Sequence, residues 1–334
     1  MPTRPESDHS IITVFDYNAE KCESFSLSRT EDSFSFLDSD SISWINVEGL
    51  QKQEVEKICN HFNVHPLLIE DILSVGQRPK MDEIYGSVFV QLQMLFFNSS
   101  HSVIETEQVS ILLGKNFVIS FQEDSLRDVF DPVRDKLRIS GSKIRQQNAD
   151  FLFYSLVDQI VDRYYGVMEK LGDRIEELEE LVIRSANKKT LAKIIMLRKE
   201  MIVFKRNVTP VRELLNTILR SESELLDART EKYFKDVYDH IVQANDMSEN
   251  YRDMMMNLQD IYMSNVNLKT NEVMKVMAIV TCLLAPATVI GGIFGMNFDL
   301  IPLLHNVWGF YISVGMMLLI PLLMLLIFRK RGWF

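Results

Sequence analysis

VMAIVTCLLAPATVIGGIFGMNF, residues 276–298, runs for 23 positions without a charged side chain. A helix needs about 20 apolar residues to cross the hydrocarbon layer of a bilayer, so this stretch predicts a transmembrane helix whose far end is a Gly-Met-Asn turn. Further along, VWGFYISVGMMLLIPLLMLLIF at 307–328 meets the same length and is followed at once by the basic string RKR at 329–331. Trp308 and Trp333 stand near its two ends, where an amphipathic indole prefers the membrane interface. Lys269 and Lys275 precede the first span and Arg329, Lys330 and Arg331 follow the second, whereas the connection DLIPLLHN at 299–306 has no Lys or Arg. The positive-inside rule then predicts both termini, with the short basic tail 329–334, in the cytoplasm and the loop 299–306 outside.

Charge separates this end from the rest. Of the net −10, residues 276–334 contribute +2, so residues 1–275 carry −12. An acidic surface excludes nucleic acid as a partner, which needs a basic one, and it suits cations. Cys22, Cys59 and Cys282 are scattered without CxxC spacing, so neither a disulfide framework nor a zinc-thiolate site is expected, and a reducing compartment fits. The opening MPTRPESDHS has no apolar core, so no secretory signal is read there. There is no Walker A loop, no GxSxG and no pair of catalytic carboxylates, which predicts neither an enzyme nor an organic cofactor.

Upstream of the spans, residues 1–140 mix β-rich runs (SIITVFDY at 10–17, SISWINV at 41–47, SVFVQLQMLFF at 87–97, NFVISF at 116–121) with helical stretches such as QKQEVEKICNHF at 51–62. That alternation predicts an α/β domain. After it the punctuation disappears: no glycine falls between Gly172 and Gly291 and no proline between Pro210 and Pro286. Residues 141–228 therefore read as a helical hairpin region, and 229–298 as a stalk helix running into the first transmembrane helix at about 276–296. The predicted class is an α+β head joined to a membrane α-helical part. A membrane-anchored coiled-coil scaffold would also look like this along the stalk.

Spacing within the first span is informative. Asn271, Met274, Ala278, Thr281, Ala285, Thr288, Gly292 and Gly295 recur at intervals of three and four, which puts one small or polar stripe on one helix face. Bulky Ile279, Leu283, Val289, Ile290 and Ile293 lie beside it. Small residues let membrane helices pack closely, and they also suit a water-lined path. Asn271 and Asn297 sit at the two ends and offer amide oxygens to a hard cation or its water shell. Two helices cannot enclose a pore, so that second reading requires a homo-oligomer with the stripe on the axis. Pro286 and Pro321 each predict a bend or an exposed carbonyl. His61 and His65 have the spacing of a helical zinc pair, but Pro66 disfavours helix at 65. Asp236 and His240 lie one turn apart on the predicted stalk, as a solvated face also would.

TNEVMKVMAIVTCLLAPATVIGGIFGMNF at 270–298, WGF at 308–310 and the terminus FRKRGWF together resemble the CorA family of magnesium transporters. HPLLIEDIL at 65–73, QRPK at 77–80, YFKDVYDH at 233–240 and LQDIYMS at 258–264 are similar to family segments too, so the resemblance covers most of the chain. It implies a homopentameric funnel in the plasma or inner membrane of a prokaryote, with the first span lining the pore. It also implies influx of Mg2+ down its electrochemical gradient, with Co2+ and Ni2+ as further candidates, gated by intracellular Mg2+. By the same resemblance Gly295, Met296 and Asn297 form the pore entrance, Asn297 meeting the hydrated ion and the glycines permitting the turn. Thr288, Thr281, Met277, Met274 and Asn271 line the pore, with the two methionines at a hydrophobic gate. Glu70 and Asp71 of HPLLIEDIL, Asp260 of LQDIYMS, and Asp236 with His240 are the regulatory cation candidates, Asp71 and Asp260 meeting across a subunit boundary. Two positions depart from the family pattern: Ala285 replaces an expected methionine, which predicts a wider pore there, and Ile301-Pro302-Leu303 replaces an MPE-like string, leaving Asp299 as the loop's carboxylate. A zinc or other divalent transporter of the same superfamily, proton-coupled or not, is the alternative; no Asp or Glu lies within either span to relay protons.

Overall fold

The computed structural model describes residues 10–36, 41–298, 301–303 and 306–333. The head is a seven-stranded sheet built from β1 (Ile11–Tyr17), β2 (Cys22–Leu27), β3 (Ile42–Glu48), β4 (Lys80–Ile84), β5 (Ser87–Asn98), β6 (Val103–Leu113) and β7 (Phe117–Gln122), in the order β2-β1-β3-β7-β6-β5-β4. Every pairing is antiparallel except the central one, where β3 runs parallel to β7 with Ile45 opposite Ile119. Those two strands are buried along almost their whole length, and their buried polar side chains pair with one another, Ser120 at 2.5 Å and Gln122 at 3.0 Å both donating to the Asn46 side-chain oxygen.

One face of the sheet packs under α1 (Lys52–His61) and α2 (Pro66–Leu73), where Ile45, Val47, Phe89 and Ile119 meet Val55, Ile58 and Ile72. On the other face Trp44 is fully buried, stacked on Phe15 at 5.4 Å and edge-on to Phe130 at 5.9 Å. α3 (Asp131–Arg138) follows, then the three long helices α4 (Ala149–Arg184), α5 (Lys188–Arg220) and α6 (Ala228–Phe294). Tyr164 of α4 donates to the Gln93 carbonyl at 2.7 Å and so ties that helix to β5. Gly172 makes room where α4 passes α6: a Cβ there would lie 2.7 Å from the Tyr251 hydroxyl, which would have to move. α5 is joined to α6 through the Lys205–Glu249 ion pair and a 2.9 Å bond from Thr209 to Asn245.

His61 closes α1 and stacks on Phe34 at 3.9 Å, while the Nδ1 of His65 caps α2 by accepting from the Leu67 N–H at 3.2 Å. The two histidines therefore belong to different helices, as Pro66 requires.

By contacts the chain divides into Met1–Leu181 with Lys189–Leu258, and Val182–Lys188 with Gln259–Phe334. The division falls inside α6, where the sequence has no punctuation. In the second unit the short α4–α5 turn is held by a 3.0 Å bond from Asn265 to the Val182 carbonyl and by Tyr262 reaching the Asn187 carbonyl at 3.4 Å. α6 stays helical through Pro286, and α7 (Gly309–Lys330) stays helical through Pro321. Both are long and apolar enough to cross a membrane.

Candidate functional site

The two apolar helices cover one stripe each. On α6 the residues shielded from solvent are Ile279, Leu283, Pro286, Ala287, Ile290 and Phe294; on α7 they are Gly309, Ser313, Met317, Pro321, Met324 and Phe328. Met317 lies 3.7 Å from the Cβ position of Gly291. At about 100° per residue the small and polar stripe of α6 falls roughly opposite its covered face, and Asn271, Met274, Ala278, Thr281, Ala285, Thr288, Gly292 and Gly295 are all exposed. Met274 and Met277 are 63% and 64% exposed, among the most open apolar side chains of the helix.

The threonines of this stripe are oriented by their own helix. Thr281 donates to the Met277 carbonyl at 2.9 Å and Thr288 to the Leu284 carbonyl at 3.1 Å. With the proton committed to the backbone, each hydroxyl turns lone pairs outward and acts as an acceptor. Water bound to a dication points its hydrogens away from the ion, so acceptors are what its hydration shell needs. Pro286, on the covered face, leaves the Cys282 carbonyl without its usual helical donor.

α6 ends at the Gly-Met-Asn turn. The Gly295 N–H donates to the Gly291 carbonyl at 3.0 Å and the Met296 N–H to the Ile293 carbonyl at 3.3 Å. Gly295 does not occupy the left-handed region, so conformational freedom is not why a glycine stands there. An added Cβ there would sit 3.1 Å from the Gly291 oxygen, a tight contact to which the turn would have to yield by a few tenths of an ångström. Asn297 follows in the open, beyond the last helical turn. Asp299 lies outside the described residues.

The acidic candidates lie on α2, α6 and, for two further carboxylates, α4. Asp71 pairs with Lys80 at 2.6 Å, and its backbone carbonyl accepts from Gln108 at 3.1 Å. Glu70 is exposed on α2, away from that pair, and Asp260 is exposed on α6. Asp236 is not among the ligand groups gathered at His240. His240 instead joins Asp158 and Asp162 of α4, one ligand atom of each lying within 4.8 Å of the others, while Asp236 is exposed. The Nδ1 of His240 is buried without a partner. Burial first, and then the charge of Asp162, pushes the Asp158 carboxyl up to about 6. Two carboxylates and an imidazole form a donor set suited to a hydrated divalent cation. Asp158 and Asp162 escaped the sequence reading because a DxxxD pair on a helix looks like a solvated face; the signal was the Tyr154, Asp158, Asp162 ladder at fourfold spacing.

A family model described as CorA-like Mg2+ transporter protein matches residues 39–330. The cobalt/magnesium transport protein CorA of Thermotoga maritima is 39% identical over 323 residues, which span 96% of this chain and 92% of that protein. The protein of the same description from Methanocaldococcus jannaschii is 27% identical over 293 residues, spanning 87% and 90%. The complete structure of the CorA magnesium transporter from that archaeon matches with a TM-score of 0.80 at 25% identity, covering 97% of this chain and 99% of that one.

Proposed function

Since the chain belongs to the CorA-like Mg2+ transporter family, whose members are transporters and not enzymes, we propose that it forms a homopentamer in the bilayer and conducts Mg2+, with Co2+ and Ni2+ as further substrates. The observation that carries this reading is the uncovered stripe of α6, which lies opposite the face packed on α7 and ends at Gly295, Met296 and Asn297. Placed around an axis, five such stripes give a path of hydroxyl and amide acceptors at Asn297, Thr288, Thr281 and Asn271, with Met277 and Met274 as its apolar constriction. Mg2+ sheds water reluctantly, so a ring of amide oxygens bonding to the hydration shell avoids the dehydration cost. No energy source beyond the gradient is needed: an inside-negative potential favours entry of a dication by about 4.6 kcal/mol per 100 mV.

Intracellular Mg2+ closes the pore in this reading. Five regions of −12 repel where they crowd an interface, about −60 in all, unless counter-ions bridge them. Asp158, Asp162 and His240 would hold one hydrated ion, with Asp236 as an outer contributor, and Asp71 of one subunit, with Glu70 next to it in sequence, would face Asp260 of the next once Lys80 is displaced. An ion that binds the closed state alone biases the equilibrium toward it.

The test is flux in proteoliposomes containing the full chain, with Mg2+, Co2+, Ni2+ and Zn2+ at several pH values. Potential-driven Mg2+ entry independent of a proton gradient is the expected result. No flux of any divalent ion, or Zn2+ flux that requires a proton gradient, overturns the reading.

A further inference from the structure

The α4–α5 turn belongs, by its contacts, with the membrane-entering end of α6 and not with the head. Its composition is unlike the rest of the acidic chain. From Leu181 to Lys193 there is no carboxylate, while Arg184 and Lys188 in the turn and Lys189 and Lys193 at the start of α5 supply four cations, just after Glu176, Glu177, Glu179 and Glu180 close α4. Ile183, at the base of the turn, is 64% exposed although its neighbour Val182 is buried. An exposed apolar side chain among clustered cations is the pattern of a surface that meets anionic lipid.

Position supports the same partner. Asn265 and Tyr262 hold the turn by the carbonyls of Val182 and Asn187. Asn265 precedes Val276, the start of the uncharged run, by 11 residues, about 16 Å along a helix. The headgroup layer occupies about 5–7 Å outside the hydrocarbon, and what remains is close to one Debye length at physiological ionic strength, about 8 Å. Lys269 and Lys275 on α6 and the RKR string after α7 lie on the same approach to the bilayer.

We propose that the α4–α5 turn is a membrane-surface contact that docks on the anionic headgroups of the leaflet next to the base of α6, with Lys188 and its neighbouring cations as the electrostatic element and Ile183 as the apolar one. The contact couples the end of the hairpin to the lipid instead of to another protein surface. It rests on the transport reading only in requiring a bilayer at Val276.

The experiment uses the full chain in nanodiscs of phosphatidylcholine alone or with added phosphatidylglycerol. Ile183→Trp places a reporter on the exposed position, and quenching by lipid brominated near the headgroup is compared with that of the parent chain to subtract Trp308 and Trp333. Extra quenching in the anionic discs, lost in high salt and lost in the Lys188→Glu/Lys189→Glu/Lys193→Glu background, is the expected result, with each cation contributing about fivefold to the contact equilibrium. A reporter whose quenching is the same in both lipids, or that survives the charge reversal, overturns the proposal. Mg2+ flux measured in parallel separates the two readings: absent flux in every lipid sinks transport and leaves the quenching result standing, whereas intact flux without lipid-dependent quenching sinks the membrane contact alone.

Discussion

The head and the helix pair at the end of the chain treat their polar atoms in opposite ways. In the head they are consumed internally: Asp71 holds Lys80, Gln108 caps the carbonyls of Asp71 and Ser74, and Arg134 is enclosed by Glu48, Asp128 and Asp131. On α6 the stripe from Asn271 to Gly295 meets no partner element, and the apolar residues around it are largely uncovered. The head completes its own core, whereas the helix pair buries one stripe per helix and leaves the rest uncovered, as the proposed assembly in a bilayer requires. Selection of an ion belongs where polar groups remain unspent.

Replacing Asn297 should break that contrast most severely. Asn297→Ala is expected to abolish Mg2+ uptake in vesicles while crosslinking still shows an assembled oligomer, since the side chain lies beyond the helix and supports no fold. Gly295→Ala comes next: a methyl group 3.1 Å from the Gly291 oxygen shifts the turn that aims Asn297. Uptake should fall about tenfold, equivalent to about 1.4 kcal/mol. Uptake at the parental rate in either variant would mean that the ion does not enter past this turn.

Thr288→Val tests the stripe itself. Loss of the ring of Thr288 acceptors should slow conduction by at least about fivefold, the effect of about 1 kcal/mol for a single lost hydrogen bond, while Val289→Ala, beside the stripe, changes it little. Equal effects from both would place the path on another face of α6.

How much of this was legible in the sequence follows from the same contrast. The spans, the Gly-Met-Asn turn and the stripe were readable because they are written in consecutive residues with helical spacing. The α/β character of the head was readable from runs such as SVFVQLQMLFF, but the parallel pairing of β3 with β7 joins residues more than seventy positions apart, which no local pattern encodes. His240 illustrates the same limit at a site. Its sequence neighbour Asp236 suggested a pair, yet its partners Asp158 and Asp162 arrive on α4. Gly295 was legible as a turn residue, but neither its lack of a positive φ nor the 3.1 Å approach of an added Cβ to the Gly291 oxygen can be read from a string of letters.

The head cluster offers a smaller effect. Asp158→Asn with His240→Ala should remove most of the thermal stabilisation that millimolar Mg2+ gives the full chain, about 2–4 °C for a shift near 1 kcal/mol in a protein of this size. Asp236→Asn alone should retain it. If the double variant is stabilised by Mg2+ as well as the parent, the cluster is not the ion's seat.

The least effect, and the cleanest check that the head is a closed fold, comes from a buried acid remote from any ion path. Glu107 on β6 is 3% exposed; its Oε1 accepts from the N–H groups of Glu123 at 2.9 Å and Asp124 at 3.0 Å, and its Oε2 is buried without a partner. Burial, helped by the nearby charges of Glu123 and Asp124 and opposed by the two N–H donors, raises its carboxyl to about 7. Because the folded form holds its proton more tightly than the unfolded chain does, the stabilisation is complete below the ordinary carboxylate range and is lost as pH rises through about 7. Glu48, raised to about 7 chiefly by burial and then by Asp128, adds a second term of the same sign. Glu107→Gln keeps an acceptor oxygen for the two N–H groups and has no proton to lose. Hydrogen exchange of the β6 and β7 amides in the full chain, corrected for intrinsic rates, should therefore show protection falling between about pH 4.5 and 7 in the parent, levelling above that, and falling less in the variant. Between pH 6 and 7 the loss should be about tenfold, the equivalent of one pKa unit. Mg2+ flux should be the same in both. A parallel loss of flux would mean that the core of the head and the stripe of α6 are not the separate compartments described, and an unchanged exchange profile would mean that Glu107 is already ionised in the fold.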